Sequence, residues 1–575
     1  MKICLVTPFS WSQPHDVNEH VAGIAKELRA LGHTVTVLAP SGHTADLIAG
    51  HRALARGEDA EMIAIGAAIP VSRRSSLGVP VGVRANLHLA LQQGQFDVVH
   101  GFEPGLPSIS YLALRDSEAL GVASFFSPER LGYPPRRALR EKLLGRIDAL
   151  IAASPATSAA AAERFPGDYR LVSPGVDTDL FRPGAKRNLI VIELHSGSLP
   201  VARAALRSLR ELPGWEAVLL RTKPLSTRPG IPLALRDRVR VRSGRRPAAR
   251  ASVLAEAAIV VPVPTGSGRL RLEALAAGAA LAEPPGVLEQ PELAAAAIAR
   301  LAEDDSLRER QGQEARATAE AQSFARVAGE LDTIYRSLRG RRRARRRDTG
   351  PLADRPWILV DLHMHTHWSH DCSIEVDELL DHAEAEGLGA IAVTDHNVFG
   401  GAVEAVEQAR SRDLIVIPGE EVKTDDQGEV IGLFLHEEIP RGMSFSETVA
   451  AIREQEGVVY LPHPFDRMHA IPFPATLHRH LHLLDVLEVY NARLLFEGYN
   501  DEAVRFARKY GLPAGAGSDA HVLQGVGTGA LRMRAFDGAE EFLLSLRTAE
   551  VLRRPKSLAY LQSLKWVAQV KEKVR

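Results

Sequence analysis

The sequence predicts an α/β protein, with two parallel, doubly wound sheets in the first 335 residues and a βα barrel after them. Three observations predict it. From Met1 to about Tyr335, short β-branched runs alternate with longer alanine- and leucine-rich stretches, the rhythm that builds parallel sheets. Seven arginines within Arg339–Arg347, followed by Asp348-Thr349-Gly350-Pro351, interrupt that rhythm with charge and turn formers, as a linker does. Beyond the break the alternation resumes with different chemistry: thirteen of the 21 histidines lie between His363 and His521.

The first part supplies buried strands at Ile3–Val6, Thr34–Leu38, Asp97–His100, Ala149–Ala152, Leu189–Ile192, Ala217–Leu220 and Ala258–Val261. Helical spacing fills the gaps; Val21, Ile24, Ala25 and Leu28, for example, share one face. The expected domains are 1–183 and 184–335, then a linker at 336–356 and a third domain at 357–556. The tail, 557–575, carries Leu558, Leu561, Leu564, Val567 and Val574 at near-helical spacing, an amphipathic helix expected to dock on a folded unit.

Composition sets the outer limits. The 575 residues suit three or four domains of ~150 residues each. At 45% hydrophobic and 25% charged, the chain is ordinary globular protein and not a disordered or fibrous one. Seventy basic residues against 71 acidic leave no overall field, so nucleic acid is not expected and any electrostatic partner must be read from a local run. The arginine run, helped by Lys565, Lys571, Lys573 and Arg575, is the place for peripheral contact with anionic lipid. No eighteen apolar residues run together, so no membrane span is expected. The run from Met1 to Pro8 is too short for a signal peptide. Cys4 and Cys372 make no disulfide framework, and a reducing, cytoplasmic location is expected.

The third domain carries the densest chemistry. In the strand ending at Asp361-Leu-His363-Met-His365, side chains two apart share a face, so Asp361, His363 and His365 converge. Two imidazoles projecting together from a strand end are poor core filler and good metal ligands. The pattern recurs at later strand ends. Ala390–Thr394 leads into Asp395-His396, Leu414–Pro418 into Gly419-Glu420-Glu421, and Val430–Leu435 into His436. Val458–Leu461 leads into Pro462-His463-Pro464, Val486–Tyr490 into Asn491, and Pro513–Gly517 into Ser518-Asp519-Ala520-His521. The carboxyl-end rim is where a βα barrel keeps its active site. Asn491, Arg493, Arg467 and Lys423 follow rim motifs and are candidates for holding a phosphate, for which an arginine fork has matching geometry.

These motifs, in this order, resemble the PHP phosphoesterases, named for polymerase and histidinol phosphatase, over about 200 residues. The resemblance implies a distorted (βα)7 barrel holding two or three divalent metal ions. It implies the ligands His363, His365, Asp371, His396, Glu421, His436, His463, Asp519 and His521, with Glu421 preferred to Glu420. Asp519, His521 and His463 are the expected catalytic residues, and a small phosphorylated molecule the expected substrate. A mixed imidazole and carboxylate set suits Mn, Zn or Fe better than Mg or Ca.

The first 335 residues resemble GT-B glycosyltransferases, in particular retaining enzymes similar to bacterial phosphatidylinositol mannosyltransferases. The matches include Lys2–Phe9, Val17–Val21, Leu31–Leu38, Phe96–His100, Glu103-Pro104, Pro174–Pro183 and Leu272–Gly278. The resemblance implies two Rossmann-like domains around a nucleotide-sugar site, but this chain departs from the pattern at that site. His15 and Asp16 stand in place of a glycine pair, and Leu194-His195 and Val201 in place of the cations that clamp a diphosphate. Thr265 replaces the first of two glutamates, of which Glu273 is the second. The run Ser124-Phe125-Phe126-Ser127 lacks the usual histidine. Losing cations from a leaving diphosphate removes its main electrostatic stabilisation. The expectation is therefore a phosphoesterase whose glycosyltransferase-like half binds or assembles without transferring. That half is expected to bind a nucleotide, a sugar or a lipid headgroup, with Glu273 as a vestigial nucleotide-sugar contact. The alternatives are a bifunctional transferase and phosphatase, or a non-enzymatic scaffold.

Overall fold

All seven expected β-branched runs of the first part form strands in the computed structural model, which describes residues 1–68, 83–223, 225, 230–263, 268–343, 350–467, 472 and 474–554. Thr265, part of the arginine run and the tail at 557–575 lie outside the described residues. The chain divides into two units, Met1–Leu338 and Arg339–Arg575.

In the first unit, β1 (Lys2–Val6), β2 (Thr34–Ser41), β3 (Met62–Ala67), β4 (Val98–Phe102), β5 (Leu120–Phe125), β6 (Ala149–Ala152) and β7 (Tyr169–Leu171) form one sheet. Its order is β3-β2-β1-β4-β5-β6-β7, every pair parallel. A second parallel sheet has β8 (Arg187–Leu194), β9 (Glu216–Arg221), β10 (Val239–Ser243), β11 (Ala257–Val261) and β12 (Ala280–Leu281) in the order β10-β9-β8-β11-β12. In each sheet the winding reverses beside the first strand, which opens a crevice at the carboxyl ends.

Five of these twelve strands escape a reading based on β-branched runs. β7 and β12 are very short, β5 is diluted by Gly121 and Ala123, and β10 alternates valine with arginine. The helix Phe324–Arg339 returns from the second sheet to the first. Tyr335 is fully buried with its hydroxyl 2.6 Å from His100 Nδ1, and Asp332 meets His33 at 2.9 Å.

The second unit runs through β13 (Trp357–Met364), β14 (Ala390–Val393), β15 (Ile415–Lys423), β16 (Glu429–Leu433), β17 (Val458–Leu461), β18 (Val486–Asn491) and β19 (Ala514–Gly517). Two further strands, β20 (Gly529–Arg534) and β21 (Glu550–Arg553), add antiparallel to the β13 edge. The seven strands β13–β19 curl until β19 returns to β13. There the Asp519 amide donates to His363 O at 2.7 Å, and Met364 bridges Ala520 in parallel. Gly517 makes that approach possible, because a Cβ on it would lie 2.3 Å from His363 Cβ. The architecture is the expected one, two Rossmann-like sheets followed by a distorted seven-stranded barrel, with one reversal. β16 runs antiparallel to both β15 and β17.

Candidate metal centre

The rim of the barrel collects side chains from seven strands or their following loops. Asp361, on the polar face of β13, accepts from the amides of Ser518 (2.9 Å) and Gly527 (3.0 Å). It pins the turn after β19 to β13, and its burial pushes the carboxyl up to about 6. The same face presents His363 and His365, both fully buried.

His363 is held from behind by Glu488, a buried carboxylate in the middle of β18. His363 Nδ1 lies 3.1 Å from Glu488 Oε1, which also accepts from the Tyr460 hydroxyl at 3.0 Å. Glu488 Oε2 accepts from the His463 amide (2.7 Å) and Asn491 Nδ2 (3.1 Å). With Nδ1 donating to a carboxylate, Nε2 of His363 is aimed at the rim, the arrangement that orients metal-binding histidines. Burial would lower the pKa of this imidazole, but Glu421 and Glu488 raise it well above its ordinary value, so a bound ion would take the place of its Nε2 proton. Ser369 serves His365 in the same way. Its hydroxyl lies 3.2 Å from His365 Nδ1, accepts from the His396 amide and donates to Asp395.

Glu421 is the hub. Its Oε2 lies 3.2 Å from His363 Nε2, 3.1 Å from His396 Nδ1 and 3.4 Å from His365 Nε2, and its Oε1 lies 3.1 Å from His463 Nε2. Burial alone would raise its pKa, but His363 and His396 hold it well below the usual carboxylate range. Asp519 is held low likewise, its burial outweighed by Arg493 and His363. Asp519 Oδ1 accepts from Arg493 Nη1 at 3.0 Å and lies 3.5 Å from His365 Nε2, and its Oδ2 accepts from Asn491 Nδ2 at 3.2 Å. His521 Nε2 faces Asp371 Oδ2 at 3.0 Å and Arg493 Nη1 at 3.2 Å. Two non-glycine residues here, His463 (φ +24°) and Asp519 (φ +52°), have left-handed backbone, a strain that persists at functional sites because the surroundings over-determine it.

The expected residues thus divide. His363, His365, Asp371, His396, Glu421, His463, Asp519 and His521 come together. His436 does not: it is exposed, and its amide bonds to Gln455. The cause is the reversal of β16, whose carboxyl end runs back toward the start of β15, so Leu435 donates to Pro418 O. For the same reason its first residue, Glu429, reaches the rim, with Oε2 3.8 Å from His463 Nε2 and a carboxylate grouped with His396 and Glu421. A rule that looks for ligands after each strand could not find it. Of the expected phosphate-binding residues, Asn491 and Arg493 touch the cluster, while Lys423 and Arg467 are exposed. We expect Glu429→Ala to lower the bound-metal stoichiometry measured by elemental analysis, and His436→Ala to leave it unchanged.

Whether these residues suit metal ions is tested by one atom. His365 Nε2 is buried with no hydrogen-bond partner, yet it faces carboxylate oxygens of Glu421 and Asp519 at 3.4 and 3.5 Å. Burial, with His521 and His396 beside it, pushes the His365 pKa well below its ordinary value. A neutral imidazole lone pair directed at two carboxylates is repulsive unless a cation lies between them. The donor set therefore fits divalent ions.

The glycosyltransferase-like unit is arranged differently. Glu273 is fully buried and paired twice by Arg250, Nε to Oε2 at 2.6 Å and Nη2 to Oε1 at 2.7 Å. Arg269 lies 3.2 Å from it. Both arginines also reach Glu19, on the helix Asp16–Ala30 of the first sheet, at 2.6 and 2.9 Å. His15 caps that helix by accepting from the Val17 amide and stacks on Phe9, while Leu194 and Val201 are core. His195 caps the next turn by accepting from the Gly197 amide. In the run Ser124–Ser127, which lacks the histidine of the glycosyltransferase pattern, Ser124 is buried with its hydroxyl 2.7 Å from His100 Nε2.

The Glycosyltransferase Family 4 profile matches residues 17–180, the PHP domain profile 361–482 and the PHP-associated profile 497–551. An uncharacterized protein of Methanocaldococcus jannaschii is 34% identical over 214 residues, 35% of this chain and 85% of that protein. A phosphatidyl-myo-inositol mannosyltransferase of Propionibacterium freudenreichii is 33% identical over 159 residues, 27% of this chain. The chain spans only 41% of that enzyme's length. A glycosyltransferase from Rickettsia africae aligns with 58% of this chain and 98% of its own, at 16% identity and TM-score 0.43. The chain carries a PHP domain with its PHP-associated segment, and a Glycosyltransferase Family 4 region ahead of them.

Proposed function

We propose that the barrel hydrolyses a phosphoester at a site of two or three divalent ions, Mn, Zn or Fe, and that the glycosyltransferase-like unit binds or assembles without transferring a sugar. The observation that carries this reading is the convergence of five imidazoles and four carboxylates around the unpartnered His365 Nε2. The ions would be held by His363, His365, Asp371, His396, Glu421, Glu429, His463, Asp519 and His521. When bound, such ions supply Lewis acidity and a water of lowered pKa.

The protein's own groups do the rest. Arg493, partly open to solvent and already among Asp519, Asp371 and His521, is placed to take phosphoryl oxygens, with Asn491 fixing the Asp519 carboxylate beside it. Asp519, His521 and His463 are the catalytic residues in this reading because they would hold the ions beside the phosphoester, His521 and His463 through Nε2 atoms presented to the cluster. The non-transferring role of the first unit is supported by the pairing of Glu273 with Arg250 and Arg269. That pairing engages the carboxylate a donor ribose would use. The substrate class is a small phosphorylated molecule.

Treatment with a strong chelator followed by desalting tests the reading. Hydrolysis of a chromogenic phosphomonoester should fall to background and return on addition of Mn or Zn. Full activity in protein shown by elemental analysis to be metal-free would overturn it.

A further inference from the structure

Between residues 221 and 250 stand ten lysines and arginines and a single acid, Asp237, in a chain whose totals are 70 and 71. Two of the ten are used internally. Arg250 belongs to the Glu273 pairing, and Arg238 donates to the carbonyls of Leu209, Leu212 and Trp215. Six others, Arg221, Arg236, Arg240, Arg242, Arg245 and Arg246, are exposed, and none forms an ion pair among the described residues.

Their placement is concentrated. β10 is the edge of the second sheet, and Arg240 and Arg242 project from one side of it. Arg245 and Arg246 continue past its carboxyl end. Arg221, which closes β9, lies across from Ser243. Charged residues on an edge strand deter pairing with another chain, but one or two serve that end, and Arg245 and Arg246 lie beyond the strand. So many like charges without counterions repel one another, which an anionic partner would relieve.

The neighbouring chemistry selects the partner. Leu233 (77% exposed) and Val241 (46% exposed) stand among these cations, and no phenylalanine, tyrosine, tryptophan or histidine occurs from residue 216 to 263. Single-stranded nucleic acid is gripped by aromatic stacking as well as charge, and the patch has no ring to offer. Exposed aliphatic side chains among arginines suit a lipid surface, where the first enter the apolar boundary and the second meet phosphates. We infer that the β10 edge docks the protein on membranes rich in anionic phospholipid, independently of the barrel chemistry.

Vesicle co-sedimentation of the full chain tests this, comparing phosphatidylcholine vesicles with vesicles of three parts phosphatidylcholine to one part phosphatidylglycerol. The wild type should bind the anionic vesicles only, with affinity falling as salt rises. The variant Arg240→Ser/Arg242→Ser/Arg245→Ser/Arg246→Ser should melt like the wild type. At about fivefold per cation it should lose more than ~100-fold in affinity. Undiminished binding by that variant, equal binding to both vesicle types, or tighter binding to DNA or RNA than to vesicles would each overturn the inference.

Discussion

Replacing Glu421 by Gln should lower phosphoester hydrolysis at least ~1,000-fold and remove metal from the protein. The side chain touches four imidazoles, those of His363, His365, His396 and His463, through two oxygens. An amide keeps the shape but loses the charge, and half of it turns N–H donors toward the place where an ion would need a ligand oxygen. Residues that only orient a metal ligand cost 10–100-fold when changed; a carboxylate shared among four ligands should exceed that range. Because Glu421 is buried and sits among imidazoles, the variant must also be shown to fold, by a thermal transition near that of chelated wild type. Intact folding with full metal content and near-normal turnover would mean that Glu421 is not a ligand.

The second large effect lies in the other unit. Glu273→Ala removes a buried acid from a group of two acids and two arginines, leaving Arg250 and Arg269 to share Glu19. Breaking a buried pair by deleting one partner strands the other charge and costs about 3–5 kcal/mol. The thermal transition of this unit should drop by about 5–15 °C, and calorimetry with uridine or guanosine diphosphate sugars should give no heat with wild type or variant. The opposite outcome, an unchanged melting temperature with donor binding abolished by the substitution, would make Glu273 a ligand contact and restore the bifunctional alternative.

Much of this was legible before the fold was seen, for identifiable reasons. Alternation on β13 placed Asp361, His363 and His365 on one face, and the loops after β14, β17 and β19 delivered His396, His463, Asp519 and His521 to the rim. Glu421 reached it from within β15, which runs on past the expected end at Pro418 to Lys423. Strand period and direction bring these segments to the rim, and the resemblance to PHP phosphoesterases selects the ligands within them, Glu421 rather than Glu420 among them. Three features were not legible. The direction of β16 depends on hairpin-like pairing with β15, which a run of valine and leucine does not specify, so Glu429 and His436 were exchanged. Glu488 was hidden inside Val486–Tyr490, where a single acid in an apolar strand looks like an outward-facing residue; its four partners are all remote in sequence or contributed by backbone, except Asn491. Arg250 as the partner of Glu273 was invisible because the two lie on separate helices, Pro247–Glu256 and Arg269–Ala276, whose mutual packing only the fold defines.

The central claim is that the barrel rim is a metal-dependent phosphoesterase centre. It is tested most directly by measuring phosphate release from a panel of a chromogenic monoester, nucleotides, sugar phosphates and inositol phosphates. Protein of known Mn or Zn content would be used, beside Asp519→Ala prepared identically. Release from at least one member by the wild type, lost in the Asp519 variant, is the expected result. Silence across the panel from fully metal-loaded wild type, or equal release by both proteins, would contradict it.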